Sequence, residues 1–230
     1  MNFALVVAGG LGKRMNTEIP KQFLNLEGLP VLMRSIIPFS KLKENHKIYV
    51  VIPEEHQDYW MNLCYKYKFP VQHLLVNGGS SRFQSVKNGL EAIFQDADYN
   101  QEESIISIHD GARPLLSIDL AQNLVELTKK HHAVIPVLES VDSLRIIDSE
   151  GQHKVMNRDL IKRVQTPQVF LGKVLQEAYK VEESPEFTDD ATVVENIRIP
   201  IFLIDGDPIN IKITSPLDFY VATTFLKDRV

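Results

Sequence analysis

With 230 residues, 44% of them hydrophobic and 24% charged, the chain has the composition of one globular α/β domain with a sizeable core. A net charge of −5 argues against a general nucleic-acid or anionic-membrane surface, so any anion site must be a local concentration of cations. The single cysteine, Cys64, excludes an intrachain disulfide and a multi-cysteine metal site.

The first residues lack the charged and long apolar segments of a secretion signal. No apolar run approaches the about 20 residues of a membrane span. A reduced, cytoplasmic protein is expected. "NFALVVA", residues 2–8, is an apolar run closed by glycines and reads as a buried strand. "VLMRSIIPFSKL" reads as a helix interrupted at Pro38, and "KIYVVIP" as a second strand. "EEHQDYWMNLCYKY" is a helix with acids in its first turn, where the macrodipole favours them, and with Cys64 facing the core. "VQHLLV" is a third strand, followed by a Gly-Gly-Ser-Ser turn and the helix "RFQSVKNGLEAIF". "SIISIHD" is a fourth strand, then comes a helix capped by Ser117, then a fifth strand, "AVIPVLES". The alternation predicts an α/β fold: a single doubly wound, mainly parallel sheet with right-handed crossovers.

Residues 143–159 break this rhythm. Two extended stretches around Ser149-Glu150-Gly151 signal a hairpin, with too few apolar residues to form a core. A projecting β-hairpin arm, inserted into one domain spanning 1–230, is expected. The chain resumes with helices near 172–183 and 189–197, strands "IPIFLI" and "INIKIT", and a final helix.

Sheets of this kind bind ligands at the carboxyl ends of their strands. The loops 8–22, 78–85, 110–114 and 205–212 fall there. The first of them is neither a dinucleotide fingerprint, whose third glycine would fall on Met15, nor a P-loop, which needs Gly where Val7 stands and Ser or Thr where Arg14 stands. What remains is a glycine loop whose amides can approach phosphate oxygens, with Arg14 and Lys21 on it and Pro20 stiffening the approach to Lys21. A forked and a point cation on one loop suit a polyphosphate; a glycine-rich turn with solvated basic residues is the plainer alternative.

The motifs "AGGLGKRM…PKQF", "GGSSRFQSV", "HDGARP", "QTPQ", "TDDA" and "NIKIT", in this order, carry a resemblance. Together they span essentially the whole chain. The chain resembles the sugar-phosphate cytidylyltransferases, most closely the 2-C-methyl-D-erythritol 4-phosphate cytidylyltransferase family, with the ribitol-5-phosphate cytidylyltransferases as near relatives. The resemblance implies a Rossmann-like nucleotidyltransferase that joins an alditol phosphate to CTP with Mg²⁺, releases pyrophosphate and works as a homodimer. It places Ala8, Gly9, Gly10 and Gly12 around the triphosphate, Arg14 on the β- and γ-phosphates, and Lys21 on the α-phosphate in the transition state. Lys13 is auxiliary or solvated.

By the same resemblance Gly78, Gly79, Ser80 and Ser85 hold the cytosine edge while Arg82 braces their loop. Many relatives have an acid where Ser80 stands. Asp110 holds Mg²⁺ or the ribose, Gly111 takes a position usually held by alanine, and Arg113 faces the substrate. His109 is read as structural, because an attacking phosphate needs no general base. Lys212 is the third catalytic cation, and Asp207 is a second metal or hydroxyl contact. Ser143, Arg158, Thr166 and Thr188 close the alditol-phosphate pocket, with a helix cap as the other reading of Thr188. The "TDDA" and "VMNRDLIKRVQTPQ" segments favour methylerythritol phosphate over ribitol phosphate. A regulatory module that holds CTP without turnover is the reading from a different class.

Overall fold

The computed structural model describes residues 1–10 and 19–228. Strand β1 (Asn2–Val7) is apolar throughout from Phe3 and lies at the middle of the sheet. A 3-10 turn at Lys21–Phe23 leads to a small hairpin, β2 (Asn25–Leu26) and β3 (Leu29–Pro30), then to α1 (Val31–Ile36). The helix tightens to 3-10 form over Ile37–Lys41, where Pro38 has no N–H to give. β4 (His46–Ile52), α2 (Gln57–Lys66), β5 (Leu74–Asn77), α3 (Arg82–Phe94), β6 (Ile105–Asp110), α4 (Ile118–His131) and β7 (Ala133–Glu139) continue the alternation. Beyond β7 come β8 (Leu144–Ile147) and β9 (His153–Met156), then β10 (Lys162–Val164) and β11 (Gln168–Leu171). α5 (Gly172–Ala178), α6 (Asp190–Asn196), β12 (Phe202–Asp205) and α7 (Pro216–Lys227) complete the described chain.

The main sheet has eight strands. β5, β4, β1 and β6 run parallel, with Val7 opposite both Val51 and Asp110. β12 is parallel to β7, while β11 is antiparallel to both β6 and β7. At Val134 the partners are Val169 of β11 and Phe202 of β12, so these two strands flank β7 on opposite edges. The mainly parallel α/β architecture is the expected one. β11 is not foreseen in the sequence: four buried residues behind Pro167 are too short a run to declare a direction.

"INIKIT" is not a strand. Its backbone groups are drawn to the strand-end loops instead: Ile213 N–H donates to Ala112 O at 2.8 Å, and Arg113 donates to Asn210 O at 2.8 Å. The third strand starts at Leu74 rather than Val71, and the helix from Gly172 ends at Ala178.

Helix α3 lies close on the sheet because Gly89 permits it; a Cβ there would sit 2.4 Å from Leu5 Cδ1. Cys64 is half-buried against the main core, and burial pushes its thiol up to about 11. A second cluster, Leu26, Val31, Leu115, Ile213 and Ala222, docks α7 onto the β2–β3 hairpin. β8 and β9 pair only with each other, Leu144 opposite Met156, which is the hairpin of residues 143–159.

Candidate active site

The carboxyl ends of β1 and β6 lie side by side and open into a cavity of about 490 Å³. Ala8, Gly9, Gly10 and Lys21 line it from one side, Gly79, Ser80, Arg82 and Ser85 from another, with Asp110 and Lys212 between. A second cavity of about 280 Å³ adjoins it, lined by Arg113, Thr166 and Thr188. Arg82, Asp110 and Lys212 belong to both. A larger, open groove of about 630 Å³ runs along His46–Ile48 and Phe69–Leu74, and none of the anticipated site residues lines it.

Asp110 ends β6 and is 8% exposed. Lys212 Nζ lies 2.9 Å from its Oδ2, Arg113 Nε 3.4 Å from the same oxygen, and Arg82 Nε 3.9 Å from Oδ1. Burial works against the charge, yet Lys212, Arg82 and Arg113 outweigh it and hold the carboxyl well below the usual carboxylate range. One buried anion thus gathers three cations at the strand end. That arrangement leaves a positive wall for a further anion.

Behind Asp110 sits His109, fully buried. Its Nε2 donates to Arg113 O at 3.2 Å, so Nδ1 accepts from Thr166 Oγ1 at 3.0 Å. Thr166 Oγ1 in turn accepts the Asp110 amide at 3.0 Å. Burial lowers the His109 pKa to about 4, so the ring is neutral at pH 7 and braces Thr166.

The glycine turn before α3 is built around Ser85, whose hydroxyl donates to Ser81 O at 2.8 Å and accepts the Gly79 amide at 3.0 Å. Ser81 caps the helix by accepting Gln84 N–H. A Cβ on Gly79 would fall 2.4 Å from Gln84 Cγ and 2.9 Å from its backbone carbon, so the turn requires glycine. Gly78 is tied to the sheet by its amide, which donates to Ile52 O at 3.0 Å. Gly111 donates to Val7 O, and a Cβ there would meet Leu32 Cδ1 at 2.8 Å.

Three residues absent from the sequence reading hold this arrangement. Gln22, 2% exposed, donates to Ala8 O at 2.9 Å and pins the far end of the first loop to its start. Asn210 donates to Thr166 O, and Asp190 receives both terminal nitrogens of Arg82. Gln22 sits inside the quoted "PKQF", but nothing local marks it as a brace.

Of the anticipated residues, Gly12, Lys13 and Arg14 lie outside the described residues. Thr188 lines the second cavity; the cap of α6 is Asp189, which accepts Thr192 N–H in a capping box, so the helix-cap reading of Thr188 falls. Asp207 uses a carboxylate oxygen to accept Ile209 N–H and lines neither cavity. Ser143 and Arg158 are exposed on or beside the arm and line neither cavity, and Arg158 Nη1 donates to Val141 O at 2.6 Å. Among the described residues no three histidine, cysteine, aspartate or glutamate side chains are grouped to hold a metal.

A mainly parallel sheet with cations collected around one carboxylate at its strand ends suits a phosphorylated ligand, and its likeness to solved structures makes it an α/β nucleotidyltransferase fold. The family model for 2-C-methyl-D-erythritol 4-phosphate cytidylyltransferase matches residues 2–228, and the chain belongs to that family. It is 42% identical over 222 residues to the protein of that name from Bacteroides thetaiotaomicron, covering 96% of this chain and 98% of the relative. It is 43% identical over 223 residues to the one from Bacteroides fragilis, covering 97% and 98%. Among solved structures, the 4-diphosphocytidyl-2C-methyl-D-erythritol synthase of Anaerococcus prevotii superposes with a TM-score of 0.80 at 27% identity, covering 98% of this chain and 96% of that one. The 2-C-methyl-D-erythritol 4-phosphate cytidylyltransferase of Thermus thermophilus gives 0.75 at 27%, covering 99% and 100%.

Proposed function

We propose that the protein transfers CMP from CTP to 2-C-methyl-D-erythritol 4-phosphate, releasing pyrophosphate, as a step in isoprenoid precursor synthesis. The observation that carries this is the wall of Arg82, Asp110 and Lys212 common to two adjoining cavities, one for each substrate. A phosphate oxygen of the alditol attacks the α-phosphorus of CTP in line. A new P–O–P bond forms, the α–β bridging bond breaks, and pyrophosphate leaves with the electron pair. No enzyme nucleophile takes part, so catalysis is positioning and charge stabilisation.

Lys21, on the wall of the larger cavity, meets the charge on the α-phosphate, and Arg14 meets the leaving phosphates. Lys212 holds the two substrates against one another at the common wall, while Arg113 and Thr166 shape the smaller cavity. Mg²⁺, when bound, neutralises phosphate charge. One carboxylate with phosphate oxygens is a sufficient set for it, and Asp110 is the residue that would hold it.

The working unit is a homodimer whose 143–159 arm passes to the partner, carrying Arg158 to the neighbouring site. Supporting this, Val141, Ile147, Val155 and Leu160 are 71%, 67%, 73% and 78% exposed on and beside a hairpin whose two strands pair only with each other. Among the described residues no helix is long and apolar enough to cross a membrane. A cytoplasmic location is part of the proposal; recovery of the protein in the membrane or secreted fraction would count against it.

Pyrophosphate release with CTP and Mg²⁺ is measured with methylerythritol phosphate and ribitol phosphate in parallel. Higher kcat/KM on methylerythritol phosphate is expected. The reverse preference overturns the choice of alditol and leaves the reaction class standing. CTP binding without turnover on either would make the protein a regulatory module.

A further inference from the structure

Arg82 stands in the wall between the cavities, 32% exposed at its side chain. Its Nη1 donates to Asp190 Oδ1 at 2.9 Å and its Nη2 to Oδ2 at 2.6 Å, a two-pronged pair that fixes the plane of the guanidinium. Asp190 is fully buried in the first turn of α6, and Tyr179 donates its hydroxyl to Oδ1 at 2.7 Å. With the outer edge of the guanidinium held by Asp190, Nε lies 3.9 Å from Asp110 Oδ1. Alongside, Phe83 stacks between Tyr179 and Phe187 with centroids 5.0 Å and 5.8 Å apart. The start of α3, which borders both cavities, and the 187–190 segment, which borders the smaller one, are thereby clamped together.

A buried ion pair is a weak stabiliser compared with apolar packing of the same volume. Its value here lies in direction. Resting on the cytidylyl-transfer reading, we infer that Asp190, with Tyr179 behind it, is a positioning residue. It holds Arg82 in the orientation that sets the spacing between the nucleotide and alditol-phosphate cavities. Asp190 touches neither substrate. It acts through Arg82, and this separates it from a residue that merely supports the fold.

The test is a double-mutant cycle read on kinetics and on unfolding together. Asp190→Asn is expected to lower kcat/KM tenfold or more in the wild-type background and less than twofold in an Arg82→Ala background, where it should also cost less Tm, because there the buried carboxylate has already lost its partner. Equal fold-losses in the two backgrounds, or a lowered Tm with kcat/KM within twofold of wild type, overturn the inference. Should Asp190→Asn fail to fold, Tyr179→Phe takes its place, with a threefold to tenfold loss expected in wild type and none in Arg82→Ala. The hydrogen exchange of the Arg82 Nε–H, followed by NMR, reads the positioning without any turnover. It should be slow in wild type and markedly faster in the Asp190 or Tyr179 variant, and an unchanged rate overturns the inference. A wild type inactive on both alditols would refute the proposed reaction, and this exchange measurement would still decide the role of Asp190.

Discussion

Lys212, carried on the loop before α7, places its Nζ 2.9 Å from Oδ2 of Asp110 at the end of β6. The pair joins the last loop of the chain to the centre of the sheet. Asp110 also has Arg113 and Arg82 nearby, and Lys212 is 41% exposed, so the fold depends on Lys212 little. Lys212→Ala should therefore leave Tm within a few degrees of wild type while kcat falls by roughly two decades or more. A matching loss of stability would assign Lys212 to the scaffold instead.

The loop cations are expected to act on the transition state. Arg14→Ala and Lys21→Ala should each lower kcat by roughly three decades, with a smaller change in the KM for CTP. Steady-state kinetics with both substrates varied decide this, and near-normal turnover in either variant would remove these residues from the mechanism.

Two glycines of the nucleotide loops should respond differently to the same methyl group. At Gly79 the added carbon meets Gln84 at 2.4 Å, whereas at Gly10 none of the described residues lies within 4 Å of it. Gly79→Ala should cost about 1–3 kcal/mol of stability, as overpacking does, and weaken CTP binding. Gly10→Ala should unfold like wild type and raise only the KM for CTP. Thermal unfolding beside CTP titration separates the two, and the reverse pattern would mean that the Gly79 turn relaxes freely.

His109 carries a pH signature. Its pKa falls from an ordinary 6.5 to about 4 because it is buried, so the unfolded chain takes up the proton first. Stability from this group is complete above pH 6.5 and is lost as pH falls through 6.5 towards 4, by roughly 3 kcal/mol at 1.36 kcal/mol per pH unit. His46 and His73, also lowered by burial, add to the same slope in any variant that keeps them. Denaturant unfolding of wild type and His109→Gln across pH 4–7 should show a shallower slope in the variant. Parallel slopes would show that His109 does not titrate as a buried neutral ring.

The exchange of the arm has its own test. Arg14→Ala and Arg158→Ala proteins, each nearly inactive, are unfolded together and refolded as a mixture. If Arg158 serves the partner's site, half the dimers are mixed and each has one intact site, so activity returns to roughly a quarter of wild type. Activity that stays at background, or a monomer in solution, would end the proposal.

What could be read in the sequence was what is local. Apolar runs closed by glycine, as at 2–10, marked the parallel strands, and loop motifs such as "GGSSRFQSV" and "HDGARP" gathered the residues that line the cavities. The missed features depend on partners far along the chain. Asp190 matters because Arg82, 108 residues away, turns to it. "INIKIT" has the alternation of a strand, yet its carbonyl and amide groups are claimed by Arg113 and Ala112, which no periodicity records. β11 runs backwards between two parallel strands, and its far end is tied to them by Gly172 N–H donating to Ser104 O and Leu171 N–H donating to His132 O. Direction in a sheet is a tertiary property, and a four-residue apolar run does not carry it.

The hydrogen bond from Gln22 to Ala8 spans 14 residues. Closing a loop of that length costs roughly 2 kcal/mol of chain entropy, and here the cost is met in folding. A triphosphate arriving at the first loop therefore meets a segment whose two ends are already tied together. Breaking the tie should move that entropy into the binding step: Gln22→Ala would weaken CTP by up to about thirtyfold with kcat largely preserved, and an unchanged KM would show that the closure is maintained by other contacts. The glutamine thus acts as a clasp on a purse, holding the two rims of the opening together before anything is placed in it.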